Sequence, residues 1–135
     1  MVAMINGLLI VDKDKDMTSR DVVNEISKLF KTKKVGHTGT LDPLATGVLV
    51  VTIGKATKLS EILTATEKEY QVEAILGIKT DTLDITGNIL KKEAALFSKE
   101  KIINILNSFQ GSYDQEVPIY SAVKINSKKL YEYAR

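Results

Sequence analysis

The first half of the chain predicts two strands and a helix that share one core. Residues 7–12 are a short apolar run before the charged segment 13–16, a pattern typical of a strand and a turn. Residues 48–53 are β-branched and almost entirely apolar, which predicts an interior strand covered on both faces. Between them, Thr18 or Ser19 precedes apolar residues at helical spacing and is a candidate N-cap. The helical positions are Val22, Val23, Ile26, Leu29 and Phe30.

The second half predicts a longer strand, a hairpin and another helix. Residues 55–63 have the pattern of a short amphipathic helix, and residues 70–78 alternate as in a long strand with one buried face. Residues 89–90 are the expected partner strand after a turn-rich loop. Ser98 caps a helix that ends near Gly111. The last elements are a strand over 117–125, a turn over 126–129 and a helix that begins at residue 130.

The loop over residues 80–88 contains two aspartates and three threonines. This composition superficially suggests a cation site, but the loop lacks the glutamate and the glycine placement of an EF-hand. Aspartate and threonine side chains also bond to nearby backbone groups in turns. The spacing favours this turn bonding over a metal site.

Residues 36–49 combine three glycines and Pro43 with Asp42 and the chain's single histidine, His37. Glycine permits close backbone approach, and Pro43 holds the residue before it away from helical geometry. A carboxylate presented on such a loop is a candidate acid, base or nucleophile. The alternative is a tight connection in which Asp42 only satisfies backbone groups, and the spacing alone favours that interpretation.

Composition removes several classes of function. The 135-residue chain has no cysteine, which excludes disulfides, thiolate catalysis and cysteine-ligated metal, and one histidine excludes a histidine-rich metal site. A net charge of +2 is compatible with an anionic partner without requiring one. The sequence shows no signal-peptide pattern and no apolar run near about 18 residues, so we expect a cytoplasmic protein without membrane contact.

The motifs in chain order resemble the bacterial tRNA pseudouridine synthase B family, called TruB. The resemblance covers nearly the whole chain, and the stretch over residues 36–49 is its most specific part. The other matching segments are residues 6–7, 12–13, 17–19, 54–58, 68–70, 80–82, 84, 87, 118, 120–122, 124 and 128–135.

The resemblance implies an α+β fold, with a mixed and mainly antiparallel sheet flanked by helices and truncated at its C-terminal side. It implies isomerisation of the uridine at position 55 in the T loop of tRNA to pseudouridine. Asp42 matches the catalytic aspartate that helps to break the N-glycosidic bond. No cofactor or metal is implied, and the expected partner is the tRNA T stem-loop, with no obligate protein partner and a monomeric intact enzyme.

Other residues gain roles from the same resemblance. Tyr70 matches the aromatic that stacks on the flipped base, and His37 matches the residue that enters the space near it. Taken alone, an ordinary strand tyrosine and a hydrogen-bonded loop histidine are the simpler interpretations. Lys13 matches a lysine that supports the substrate pocket, with a solvated charge as the alternative. The expected RNA-backbone contacts are Lys124, Lys128, Lys129 and Arg135.

The chain departs from the family's pattern in its first motif, where residues 13–16 replace Lys-Pro-x-Gly with Lys-Asp-Lys-Asp. Losing proline and glycine is expected to loosen this turn. Residues 126–127 likewise replace a glycine-containing turn.

The chain is expected to be the N-terminal part of the catalytic domain, without the rest of that domain or the C-terminal RNA-binding domain. We therefore expect negligible turnover from it alone. Two alternatives stay open: a non-catalytic tRNA-binding or folding module, and a relative of the guide-RNA-directed synthases.

Overall fold

The structure is a computed structural model that describes residues 5–115, 117, 121 and 123–133. A first compact unit ends at Tyr70 and a second begins at Gln71. Helices and antiparallel strand pairs occur along the chain, which confirms the expected α+β class. Among the described residues, no helix is long and apolar enough to cross a membrane.

The first unit is built on a three-stranded sheet. Its strands are β1 (Gly7–Lys13), β2 (Val35–His37) and β3 (Gly47–Ile53). The β-branched strand β3 lies in the centre and pairs antiparallel with both neighbours. The predicted strands over 7–12 and 48–53 are therefore confirmed.

Helix α1 (Ser19–Leu29) covers one face of this sheet. Its Val22 and Ile26 form the core with residues of β3, namely Leu49, Val51 and Ile53. The cap is Thr18: its hydroxyl oxygen accepts from the Asp21 N–H at 3.1 Å, and the Asp21 carboxylate accepts from the Thr18 N–H at 2.9 Å. The Thr18 hydroxyl also donates to the Asp21 carboxylate at 2.6 Å, and this bond, followed by the one from the Thr18 N–H, lowers the pKa of Asp21.

Two details of the predicted core are wrong. Leu29 is 73% exposed because the helix ends there, and Phe30 packs against the core instead. Strand β3 is not covered on both faces along its whole length, since Val48 is 70% exposed at its start. Near its end Thr52 is fully buried, with its hydroxyl 3.0 Å from that of Ser60.

The predicted helix over 55–63 forms in two parts. A 3-10 helix, Gly54–Leu59, leads directly into α2 (Ser60–Thr64). Gly54 has a φ of +62° and lies against residues 5–6, so a side chain would clash there. This glycine turns the chain out of β3 and lets the helical segment cover Thr52.

The second unit contains a hairpin of β4 (Ile78–Thr80) and β5 (Ile89–Lys92). The predicted return strand is therefore confirmed. The long strand predicted over 70–78 is wrong. Residues 70–75 have no regular structure, residues 76–77 form a turn, and only Ile78 belongs to a strand, β4. Val72 and Ile75 are exposed. An alternating pattern forms a strand only when a neighbouring strand pairs with it, and the described residues provide none for 71–76.

The remaining elements follow the predicted order. Helix α3 (Lys99–Asn107) begins after Ser98, whose hydroxyl accepts from the Lys101 N–H at 3.3 Å. A short hairpin, β6 (Lys124–Ile125) and β7 (Lys128–Lys129), leads into α4 (Leu130–Tyr133). Of the strand predicted over 117–125, the structure assigns only the last two residues to a strand. Residues 116, 118–120 and 122 lie outside the described part.

The loop between β4 and β5 is closed by its own side chains. The Asp84 carboxylate accepts from the Thr86 hydroxyl at 2.6 Å, the Thr86 N–H at 2.7 Å and the Thr82 hydroxyl at 2.8 Å. Asp81 accepts from the N–H and the side-chain amide of Asn88. These bonds confirm the predicted turn bonding. In the described part of the chain no three acidic, histidine or cysteine side chains come together as a metal site.

This loop should lose its order in acid. Hydrogen bonds from Thr86 and then Thr82 lower the pKa of Asp84 from its ordinary 3.8, so the loop's stabilisation is complete above that value. It should disappear as the pH falls through the lower folded pKa. Amide-exchange protection of Thr86, measured by NMR from pH 6 to 2, should therefore fall with a midpoint below 3.8. In Asp84→Asn the protection should already be weak at pH 6, whereas a wild-type midpoint above 3.8 would contradict the account.

Candidate active site

Asp42 lies in the loop that connects β2 to β3. The predicted loop over 36–49 is shorter than expected, because residues 36–37 belong to β2 and β3 begins at Gly47. The Asp42 carbonyl accepts from the Ala45 N–H at 3.0 Å, which closes a β-turn with Pro43 in its second position. Asp42 itself is exposed. The turn therefore presents its carboxylate to solvent.

The residue before Asp42 is held by Ser19. The Leu41 N–H donates to the Ser19 hydroxyl oxygen at 2.9 Å, and the hydroxyl in turn donates to the Leu41 carbonyl at 3.3 Å. Ser19 is 2% exposed and is the first residue of α1. One buried hydroxyl thus satisfies both backbone groups of Leu41.

The residue after Asp42 is held by Lys13. The Lys13 ammonium donates to the carbonyl of Met17 at 2.7 Å, of Asp14 at 2.9 Å and of Pro43 at 3.3 Å. Lys13 is 1% exposed, so the alternative of a solvated charge is wrong. An ammonium has three N–H donors, and here each has a carbonyl acceptor. This geometry matches the expected supporting role behind the pocket, and a part for Lys13 in substrate binding stays a prediction.

Asp16 adds a second bond to the same carbonyl. Its N–H donates to the Pro43 oxygen at 2.7 Å, and its φ is +66°. This is the left-handed region that favours glycine, and Asp16 stands where the resembled family has glycine. The turn over residues 13–16 therefore keeps a glycine-type conformation at the cost of strain in an aspartate.

Replacing Asp16 with glycine should stabilise the chain by about 0.5 kcal/mol. Glycine removes the strain of the left-handed conformation, which stabilises the folded state. It also raises the conformational entropy of the unfolded state, and the net gain is about 0.5 kcal/mol. Urea unfolding followed by circular dichroism measures the difference. The matched control is Asp14→Gly, since Asp14 has a negative φ and should lose about 0.5–1 kcal/mol. Equal destabilisation by both substitutions would show that Asp16 is not strained.

A pocket of about 370 Å³ lies beside this loop. It is lined by residues 38–41, 48–50, 63 and 66–70, and Asp42 is not among the lining residues. Tyr70 lines the pocket and is 63% exposed, so its ring is accessible from solvent. Leu41 is the last of the loop residues 38–41 that line the pocket, and Asp42 is the next residue in the chain. The structure therefore brings Tyr70 and the loop that presents Asp42 to the same pocket.

His37 is fixed next to this loop by a short hydrogen bond. Its Nδ1 lies 2.7 Å from the Gly39 carbonyl oxygen. A carbonyl can only accept, so Nδ1 carries the proton, and in the neutral ring Nε2 is left as an acceptor. The interpretation of His37 as a hydrogen-bonded histidine is confirmed, and its role towards substrate stays a prediction.

The predicted RNA-backbone residues lie in the second unit. Lys128 and Lys129 form β7, and Lys124 begins β6. The Lys128 ammonium lies 4.6 Å from the centre of the Tyr133 ring. Arg135 lies outside the described residues. Their contact with RNA stays a prediction.

Comparison with known proteins identifies the family. The sequence profile described as TruB family pseudouridylate synthase, N-terminal domain, matches residues 27–135. The chain belongs to this family. Membership of the TruB family confirms the resemblance noted from the motifs. It also agrees with the antiparallel α+β architecture.

Three TruB relatives show the extent of the similarity, and each is named tRNA pseudouridine synthase B. The protein of Caldicellulosiruptor saccharolyticus is 52% identical, with 97% of this chain and 45% of that protein covered. The Bacillus subtilis protein is 50% identical, with 98% of this chain and 43% of that protein covered. The Lactobacillus acidophilus protein is 48% identical, over 98% and 45%. The chain thus spans less than half the length of these TruB relatives.

Proposed function

We propose that this chain is the N-terminal part of the catalytic domain of a tRNA pseudouridine synthase that acts on the uridine at position 55 of the T loop. The observation that carries the proposal is the exposed Asp42, held between two buried anchors beside a pocket lined by Tyr70. The relatives' name supports the same reaction class.

The chemistry suits these residue types. A uridine in a folded loop is stacked, so it must be turned out of the loop and held in a pocket before its sugar can react. Tyr70 offers an accessible ring on which the base can stack, a contact worth about 1–3 kcal/mol. Asp42 assists cleavage of the bond between C1′ and N1 of the uridine. The base then rotates, C5 bonds to C1′, and the proton on C5 is lost while N1 gains one.

This reaction requires no cofactor by atom balance. Product and substrate are isomers, so no oxidant, reductant or group donor is consumed. His37, on the strand that enters the loop, has its Nε2 available as a hydrogen-bond acceptor near the displaced base. Lys13 acts from behind the loop by holding the carbonyl of Pro43.

The remainder of the catalytic domain and a C-terminal RNA-binding domain complete the enzyme in this proposal. The relatives contain more than twice the length that this chain covers. Residues in that remainder supply a basic partner for Asp42 and further pocket walls. We therefore expect negligible turnover by the chain alone. The intact enzyme is a cytoplasmic monomer whose partner is the T stem-loop.

Lys124, Lys128, Lys129 and Arg135 are proposed to contact RNA phosphates. Such contacts are largely independent of sequence and weaken with salt. Selection of the T loop then comes from the shape of the RNA.

The test uses an extended protein, in which this chain is continued by the matching C-terminal remainder of the Bacillus subtilis relative. The substrate is a T-loop RNA labelled with tritium at C5 of uridine. The modified position is mapped by mass spectrometry after pseudouridine has been derivatised with a carbodiimide, because the two isomers have the same mass. The extended protein should release tritium and place one pseudouridine at position 55, whereas the chain alone should not. Binding without release would indicate an RNA-binding module, and release from another position would contradict the proposed substrate.

A further inference from the structure

We propose that Ser19 is a positioning residue for Asp42. Its hydroxyl is the anchor on the N-terminal side of the turn, through the bonds of 2.9 and 3.3 Å to the two backbone groups of Leu41. The inference rests on the proposed function, in which the Asp42 carboxylate is the reacting group.

The position of Ser19 makes it a rigid anchor. It is the first residue of α1, whose Val22 and Ile26 are buried against residues of β3. The loop residue Leu41 also packs against this core. The hydroxyl therefore transmits the position of a packed helix to the backbone next to Asp42.

The Ser19 hydroxyl acts both as a hydrogen-bond acceptor and as a donor. Ser19 accepts one hydrogen bond and donates another while 2% exposed, so alanine would leave both Leu41 groups without that partner. The anchor on the other side of Asp42, at Pro43, would remain. The turn would then pivot about Pro43, and the backbone that carries the Asp42 carboxylate would lose its fixed position. Misplacing a reacting group by about 1 Å can cost about 100-fold in rate.

Single-turnover kinetics of the extended protein test this role. At saturating enzyme, Ser19→Ala should form pseudouridine about 10- to 100-fold more slowly than wild type. Its dissociation constant for T-loop RNA should stay within about 2-fold, because Ser19 is buried and cannot touch the RNA. A purely structural role would lower the melting temperature without changing the rate of the folded enzyme.

Thr18→Ala is the matched control. Thr18 caps the same helix end, and its loss should cost about 1 kcal/mol of stability, but its hydroxyl and its N–H bond to Asp21 and not to the loop. This variant should keep the wild-type rate. An equal loss of rate in both variants would show that helix stability, rather than the Ser19 hydroxyl, controls catalysis, and would overturn the proposal.

A second pair of variants decides the matter if Ser19→Ala does not fold. Threonine and valine have nearly the same shape, so Ser19→Thr and Ser19→Val differ mainly in the hydroxyl. The threonine variant should react at least about 10-fold faster than the valine variant, and equal rates would overturn the role of Ser19. A wild-type extended protein without activity would instead defeat the proposed function itself.

Discussion

Replacing Lys13 with methionine should lower the free energy of unfolding by about 3 kcal/mol. The substitution removes a buried ammonium and leaves the carbonyls of Asp14 and Met17 without that donor, while the Pro43 carbonyl keeps only its bond from the Asp16 N–H. A hydrogen bond to a charged group contributes about 1.5–3 kcal/mol, and an unsatisfied buried carbonyl costs about 1–3 kcal/mol. Part of this cost is recovered by the apolar methionine and by water that reaches the turn. Urea unfolding of the chain, followed by circular dichroism, measures the difference.

Lys15→Met is the matched control for this prediction. Lys15 lies two residues further along the same turn but is exposed, so its replacement should change stability by less than about 0.5 kcal/mol. If both variants unfold at the same urea concentration, the bonds of the Lys13 ammonium do not stabilise the loop. Lys13 would then not be the residue that holds Pro43.

The elements that the sequence predicted correctly are those whose signals are local. Helix α1 carries its own cap at Thr18, and α3 carries one at Ser98. Strand β3 has a β-branched composition that few other structures favour. In each case the residues that determine the element lie within it or next to it.

The predictions that failed depend on partners elsewhere in the chain. The alternating residues 70–78 have the pattern of a strand, but Val72 and Ile75 are exposed and no described strand pairs with 71–76. Leu29 follows the helical period, yet the helix ends at that residue. Hydrophobic spacing identifies the residues suited to a core and does not show where the chain finds a neighbour.

In the candidate site, too, local features could be predicted and contacts between distant residues could not. Spacing alone favoured a simple turn for Asp42, and family resemblance changed that interpretation. The resemblance assigned Lys13 a supporting role, but neither it nor the spacing predicted the contacts of the anchors, since Ser19 and Leu41 are 22 residues apart and Lys13 and Pro43 are 30 apart. Ser19 is a candidate helix cap and part of the matching segment 17–19, and neither observation connects it to Leu41. The strained φ of Asp16 likewise follows from the packing of its turn against Pro43.

Replacing Asp42 with asparagine should abolish isomerisation in the extended protein. Asparagine has almost the same shape and keeps the turn, since the bond from the Ala45 N–H goes to the Asp42 backbone carbonyl. It lacks the charged oxygen that we propose assists cleavage at C1′. Loss of a group that acts directly on the reacting atoms typically costs about 10⁴-fold or more in rate.

RNA binding should survive this substitution. The carboxylate repels phosphates and contributes no attraction to the RNA backbone, so the dissociation constant should stay equal or fall slightly. Asp14→Asn is the control, because Asp14 is an exposed aspartate of the same unit and has no proposed part in the reaction. It should react at the wild-type rate, within about 2-fold.

The most direct measurement is the single-turnover rate of tritium release from T-loop RNA, compared between the wild-type extended protein and its Asp42→Asn variant. We expect the substitution to slow release by about 10⁴-fold or more while the RNA remains bound. A rate within about 10-fold of wild type would show that the carboxylate between the Ser19 and Lys13 anchors does not carry the reaction.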